Sequence, residues 1–227
     1  MPSLNSNQGI ARYDGWATWY DEYLKMPFYE NIPAHLSRLV GPGSGLCADI
    51  GCGTGVHLQL LQSLGWSVIG VDLSADQLRL ARDRSPRVVQ ANACRLPFSS
   101  ATFRRVVSVL TLTDFDDVGP FFSEAHRVLD RHGRFVILGS HPCFLGPFAT
   151  FERDTGIARI HPGYRETTRV FKGPGLGEGI RSKVGVRHVP LAELFNKLLA
   201  ADLRLESVAE LDGDTLPSLL AIVATKA

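Results

Sequence analysis

The chain has 227 residues, a formal net charge of +1, 44% hydrophobic residues and 21% charged residues. That length suits one domain with elaborations, and the apolar share is ample for a core. A charge so near zero gives no global field to draw polyanions, so nucleic acid is not expected as a partner.

In chain order, the aromatic segment YDGWATWYD places Tyr13, Trp16 and Trp19 where they could form a helical packing stripe. LCADIG is a short apolar run ending in glycine and reads as a buried strand leading into GCGTG. HLQLLQSLG carries Leu58, Leu61 and Leu64 at helical spacing and stops at Gly65. SVIGVDL is a second strand, and SADQLRLARDR follows as a helix whose start is marked by Ser74 and Gln77 in capping-box spacing. Arg79, Arg82, Arg84 and Arg87 read as a solvated helix face. RVVQANA and FRRVVSVLT are further strands, a helix lies between Asp116 and Leu129, and GRFVILGS is the next strand. Strands that are apolar throughout, alternating with helices, predict a parallel sheet covered on both faces.

From residue 141 to 189 the chain turns rich in Gly, Pro, His and Arg, and regular patterning fades. LAELFNKLLAADL resumes as a helix after Pro190. LRLESVAEL and SLLAIVATK close the chain as strands whose short connection permits only antiparallel pairing.

In an open parallel sheet, ligands bind beyond the carboxyl ends of the strands. Gly51, Gly53 and Gly55 end the first strand, where glycine permits positive φ and close approach of backbone to ligand. The following helix start favours a carboxylate or phosphate. Asp49, just before the turn, can hold a charged amine, so both ends of a zwitterion find a partner. Asp72 ends the second strand, 21 positions after Gly51, where an acid accepts from ribose hydroxyls. ANACRLPF follows the third strand, and Asn92 can accept from an exocyclic amine through its side-chain oxygen. The three features describe a nucleoside carrying an amino-acid tail.

With ADIGCGTG, VIGVDLS, ANACRLPF and SEAHRVLDRHGRFVIL, roughly residues 46 to 140, the chain resembles class I S-adenosylmethionine-dependent methyltransferases of the small-molecule, type 11-like group. The resemblance implies an α/β, Rossmann-like, seven-stranded, mostly parallel sheet with a C-terminal antiparallel strand and helices on both faces. It implies S-adenosylmethionine as cofactor and methyl transfer to O or N of a small molecule, in the setting of natural-product biosynthesis. It implies one domain over residues 1–227, with an N-terminal helical cap at 1–45 and an acceptor-binding lid at 141–189, acting as a monomer or homodimer. Carried over by residue, Asp49, Gly51 and Gly53 line the methionine portion. Asp72 binds the ribose with Leu73 against the adenine, Asn92 and Ala93 meet the adenine edge, Val109 passes near the methionine part, and Tyr20 covers the cofactor. The chain departs from the family pattern at Asn92, where an acid is common, at Arg104, and at Thr113 and Asp114, which stand where a histidine pair is frequent.

Candidate bases are His141, after the fifth strand, and His161 and His188, flanking the insert, since histidine titrates near neutrality. Tyr13, His161, Tyr164 and Arg165 are the expected acceptor contacts, pointing to an aromatic or acidic molecule. Two rival readings stand. A nicotinamide-dependent oxidoreductase would want a third glycine where Val56 sits; a non-catalytic module would bind S-adenosylmethionine without transferring its methyl. Cys47, Cys52, Cys94 and Cys143 include no C-x-x-C pair, so no metal site is expected and the thiols read as reduced. The opening MPSLNSNQGI lacks a signal-peptide pattern, and no run reaches ~18 apolar residues, so a cytoplasmic protein without a membrane span is expected.

Overall fold

The computed structural model describes residues 11–152, 157–213 and 216–226. Residues 1–10 of the expected cap therefore lie outside the described residues. The chain enters through α1 (Ala17–Tyr23), a 3-10 turn (Pro27–Tyr29) and α2 (Ile32–Val40). It then alternates through β1 (Leu46–Ile50), α3 (Leu58–Ser63), β2 (Ser67–Asp72), α4 (Ala75–Arg84), β3 (Val88–Gln90), β4 (Phe103–Val109), α5 (Val118–Val128) and β5 (Leu129–Ser140). The insert holds β6 (Ala149–Glu152), β7 (Ile157–Ile160), β8 (Arg169–Val170), α6 (Arg181–Val184) and β9 (Val186–Arg187). The chain closes with α7 (Leu191–Ala200), β10 (Leu203–Leu211) and β11 (Leu219–Lys226).

Seven strands form one sheet in the order β10-β11-β5-β4-β1-β2-β3. β3, β2, β1, β4 and β5 run parallel, and β11 runs antiparallel to both β5 and β10. Alternate residues of each inner strand serve opposite faces. Ala48, Ile50, Phe135 and Ile137 meet Phe121 and Phe122 of α5 and Leu194 and Leu198 of α7. Cys47, Val107, Val136 and Leu138 meet Leu36, Leu58, Leu61 and Leu78 on the other face. Burial on both faces is why these strands read as unbroken apolar runs. No helix among the described residues is long and apolar enough to cross a membrane.

The strand order reverses at β1, with β2 on one side and β4 on the other. At that switch point the loops after the two strands diverge and leave a crevice. The turn after β1 is tight: Gly51 and Cys52 both donate their N–H to the Val71 carbonyl, at 2.7 and 3.0 Å. Gly51 has φ +75°, and a Cβ there would come within 2.4 Å of the Thr111 methyl. Thr111 is held in place by Ser108, whose hydroxyl lies 2.6 Å from the Thr111 hydroxyl and 2.8 Å from the Ile50 carbonyl. The close packing of β1 and β4 at this edge thus requires glycine at 51.

Two expectations are revised. The insert is more regular than its composition suggests: β6 pairs with β7 and β8 with β9, both antiparallel. Strands of two to four residues are too short to show periodicity. Of the four arginines expected on a solvated face, Arg79, Arg82 and Arg87 are exposed, whereas Arg84 is half-buried against α1. Its guanidinium grips both carboxylate oxygens of Asp21, at 2.9 and 3.0 Å, and the Thr54 carbonyl at 2.7 Å.

Candidate functional site

A cavity of about 340 Å³ opens at the carboxyl ends of β1 to β4. Gly51 and Gly53 form its floor beside β1, Asp72 and Leu73 enter after β2, Asn92 and Ala93 after β3, and Val109 and Leu110 after β4. Tyr13 and Tyr20 of the N-terminal segment close it from above, their rings edge-on at 5.3 Å.

Asp72 is fixed before any ligand arrives. One oxygen accepts the Gly53 N–H at 2.8 Å, and the other accepts the Ser74 N–H at 2.9 Å. Burial pushes its carboxyl up to about 6, against the pull of those backbone donors. Asp49 lies beneath the glycine turn rather than on the cavity wall. It is 1% exposed, one of its oxygens has no partner, and burial followed by the nearby Asp72 raises it to about 7. Asn92 lines the cavity after β3, and its oxygen accepts the Cys94 N–H at 2.9 Å and so closes a local turn.

The loop after β4 carries features that the sequence did not announce. Leu110 has φ +59°, an unfavourable conformation for a branched side chain. Its N–H is anchored on the Leu138 carbonyl at 2.7 Å. Asp114 accepts from the Tyr13 hydroxyl at 3.1 Å and from Arg181 of α6 at 2.5 Å. Arg181 also donates to the Tyr13 hydroxyl at 3.0 Å. Arg12 and Arg169 both bond Asp116 and the Asp114 carbonyl. Burial works against charge on Arg181, yet Asp114 and the two tyrosines hold it firmly protonated. Burial also raises the Tyr13 and Tyr20 hydroxyls well above their ordinary range, so both stay protonated near neutrality. An arginine partnered across 67 positions leaves no local pattern to read.

The other expected residues lie elsewhere. His141 is 2% exposed; its Nε2 pairs with Glu210 at 2.8 Å and its Nδ1 accepts the Cys143 N–H at 3.2 Å. His188 is packed against Phe148 and Tyr164, its Nε2 has no partner, and burial lowers it to about 4. His161 bonds Thr150 at 3.1 Å, the Tyr164 hydroxyl accepts the Leu191 N–H at 3.0 Å, and Arg165 is exposed. Among the described residues of 141 to 189 none lines the cavity; Arg169 and Arg181 brace its edge through Asp116 and Asp114. Phe144 and Leu145 instead line a second, largely apolar space of about 500 Å³ with Met26, Phe28 and Pro217. Among the described residues no group of His, Cys, Asp and Glu is arranged to hold a metal.

Sheet order, glycine turn and acidic strand end together define an open α/β protein with a nucleoside-sized site at its switch point. Residues 48–137 match the family model of the methyltransferase domain. A demethylmenaquinone methyltransferase of Tropheryma whipplei is 33% identical over 106 residues, 44% of each chain. A 2-phytyl-1,4-naphtoquinone methyltransferase of Nostoc is 32% identical over 118 residues, covering 47% of this chain and 52% of the relative. An S-adenosylmethionine-dependent methyltransferase of Mesorhizobium loti shares the fold, with a TM-score of 0.67, 23% identity, and 93% and 99% of the two chains covered. The chain spans about half the length of the curated relatives it matches. Residues 48–137 are thus similar to methyltransferase domains, and the chain shares its fold with S-adenosylmethionine-dependent methyltransferases of known structure.

Proposed function

We propose that this protein moves the methyl group of S-adenosylmethionine to an oxygen or nitrogen of a small-molecule acceptor. The observation that carries the reading is a cavity with chemically opposed ends. Bare backbone at Gly51 and Gly53, above the unpartnered Asp49 oxygen, suits an amino acid; the anchored Asp72 carboxylate suits a ribose. Leu73 and Ala93 then flank the adenine, and Val109 borders the methionine chain. Asn92, its oxygen engaged by Cys94, turns its amide nitrogen or the adjacent backbone to the adenine edge. Tyr20 closes the cofactor in, and Tyr13 stands on the acceptor side. The reading treats residues 1–227 as one domain, with the N-terminal segment as cap and residues 141–189 as the covering insert.

The cofactor supplies a methyl already activated by its positive sulfur. The chain's part is to hold sulfur and acceptor in line at about 3–3.5 Å and to exclude water. Among the described residues, none of the cavity-lining side chains is a histidine. His141 has both ring nitrogens engaged, and His188 is held neutral by burial. Positioning rather than side-chain proton removal is the economical account, which suits an acceptor that ionises readily or carries a free amine lone pair. The names of the two relatives put naphthoquinols, whose ring hydroxyls can give up a proton as the methyl arrives, at the head of the acceptor panel.

Calorimetry with S-adenosylhomocysteine, followed by labelled methyl transfer to phenolic, quinol and amine acceptors, tests the proposal. Micromolar binding and transfer to at least one class is the expected result. Binding without transfer to any class would show a cofactor-binding module instead; no binding at millimolar ligand would remove the reading altogether.

A further inference from the structure

We infer that the side-chain amide of Gln77 belongs to the cofactor site and, paired with Asp72, reads the vicinal diol of the ribose; the inference rests on the S-adenosylmethionine reading above. Gln77 stands three residues after Ser74, the N-cap of α4. At that spacing a glutamine ordinarily reaches back to the N-cap N–H. Here that N–H is already given to Asp72. Only half of the capping box forms: the Ser74 hydroxyl accepts the Gln77 backbone N–H at 3.1 Å and donates to Asp14 at 2.5 Å. The glutamine amide is thereby displaced from its usual partner.

The displaced amide has found no other. Gln77 is 1% exposed, and neither Nε2 nor Oε1 has a hydrogen-bond partner. A buried amide in that state is costly. It is not walled into an apolar hole, however. Gln77 lines the cavity with Gly53 and Asp72, and a Cβ built on Gly53 would lie 3.5 Å from its Oε1.

The chemistry of the missing partner follows from the neighbours. An ionised carboxylate only accepts, and Asp72 already spends one bond per oxygen on backbone donors. Hydroxyls that donate to Asp72 still carry lone pairs that need a donor. Asp72 cannot supply one, and the Gln77 Nε2 can, while Oε1 accepts whatever proton Asp72 does not take. Carboxylate and amide together satisfy both senses of a diol; the carboxylate alone satisfies one.

Titrations of wild type, Gln77→Leu and Gln77→Met with S-adenosylhomocysteine test this, with 5′-methylthioadenosine and its 2′- and 3′-deoxy counterparts as ligand controls. Both variants should bind S-adenosylhomocysteine ~5- to 20-fold more weakly. Both should discriminate less than wild type against the deoxy ligands. Their ligand-free melting temperatures should be unchanged or higher, because no internal hydrogen bond is lost. Equal affinity in all three proteins overturns the inference. So does a fall in melting temperature in both variants without ligand, which would make the amide structural. Weaker binding with undiminished discrimination places the amide at the methionine end and overturns the ribose assignment. If wild type itself binds no S-adenosylhomocysteine, it is the proposed function that fails, and the inference falls with it.

Discussion

The two walls of the cavity are built on opposite principles. On the β1–β2 side, hydrogen-bonding capacity is left over: both amide atoms of Gln77, and one oxygen of Asp49 behind the lining residues, are buried without partners. On the cap and post-β4 side the charges are paired, with Arg12 and Arg169 on Asp116 and Arg181 on Asp114. The first wall is energetically incomplete until something enters. The second has its charges paired, with only the Thr113 hydroxyl buried without a partner among its described residues, and serves as a brace. A buried unsatisfied group calls for an explanation, and where it borders a cavity an incoming ligand can supply one.

If that contrast is right, the largest effect belongs to Asp72→Ala. It removes a charged acceptor from the ligand wall, and cofactor affinity should fall ~100-fold, as expected for losing bonds to a charged group. Calorimetry with S-adenosylhomocysteine measures this, and an affinity within threefold of wild type would contradict the ribose assignment. The fold should persist, since Asp72 lies at a strand end.

Asp49 supplies the next effect. Its carboxyl sits near 7 in the folded chain, against about 3.9 when unfolded. Between these values the folded state binds more protons than the unfolded one. Stability should therefore fall as pH rises from about 4 to 7, in the absence of ligand. Asp72, raised to about 6, contributes with the same sign. Asp49→Asn should raise the ligand-free melting temperature by ~5–10 °C at pH 8 and by little near pH 4. Thermal melts across that range decide the matter; a pH-independent difference would mean that Asp49 is not the group responsible.

The smallest effect tests the brace. The Arg181 and Asp114 side chains are 23% and 27% exposed, so solvent screens the pair. Arg181→Met should cost ~1–2 kcal/mol, or ~3–6 °C in melting temperature. Affinity for S-adenosylhomocysteine should change less than threefold, because Arg181 is not on the cavity wall. A large loss of affinity with little loss of stability would reverse the roles of the two walls.

The β1–β2 wall was largely legible in the sequence, and the brace was not. β1, β2 and the turn between β1 and α3 rest on local signals: an apolar run, glycines that must adopt positive φ, an acid at a strand end. Gly65 at +95° and the Ser74 cap were readable for the same reason. Arg84 and Arg181 act through partners 63 and 67 positions away, and nothing near an arginine in sequence says which carboxylate it will meet. Gln77 shows a subtler failure. Its spacing with Ser74 marked the helix start, but the reciprocal half of the capping box does not form, because Asp72 takes the Ser74 N–H. Asn92 is similar, since the turn it initiates claims the oxygen that was expected to read a base.

The link between α1 and the glycine turn has a consequence for motion. Two guanidinium bonds from Arg84 and the Thr54 hydroxyl, at 2.6 Å, all converge on the one carboxylate of Asp21. A helix of seven residues tethered in this way does not fray residue by residue. Displacing α1 would withdraw an acceptor from both the Thr54 hydroxyl in the glycine turn and the Arg84 guanidinium. The N-terminal segment and the glycine turn thus share one anchor, and Asp21 is where movement of the one would be felt by the other.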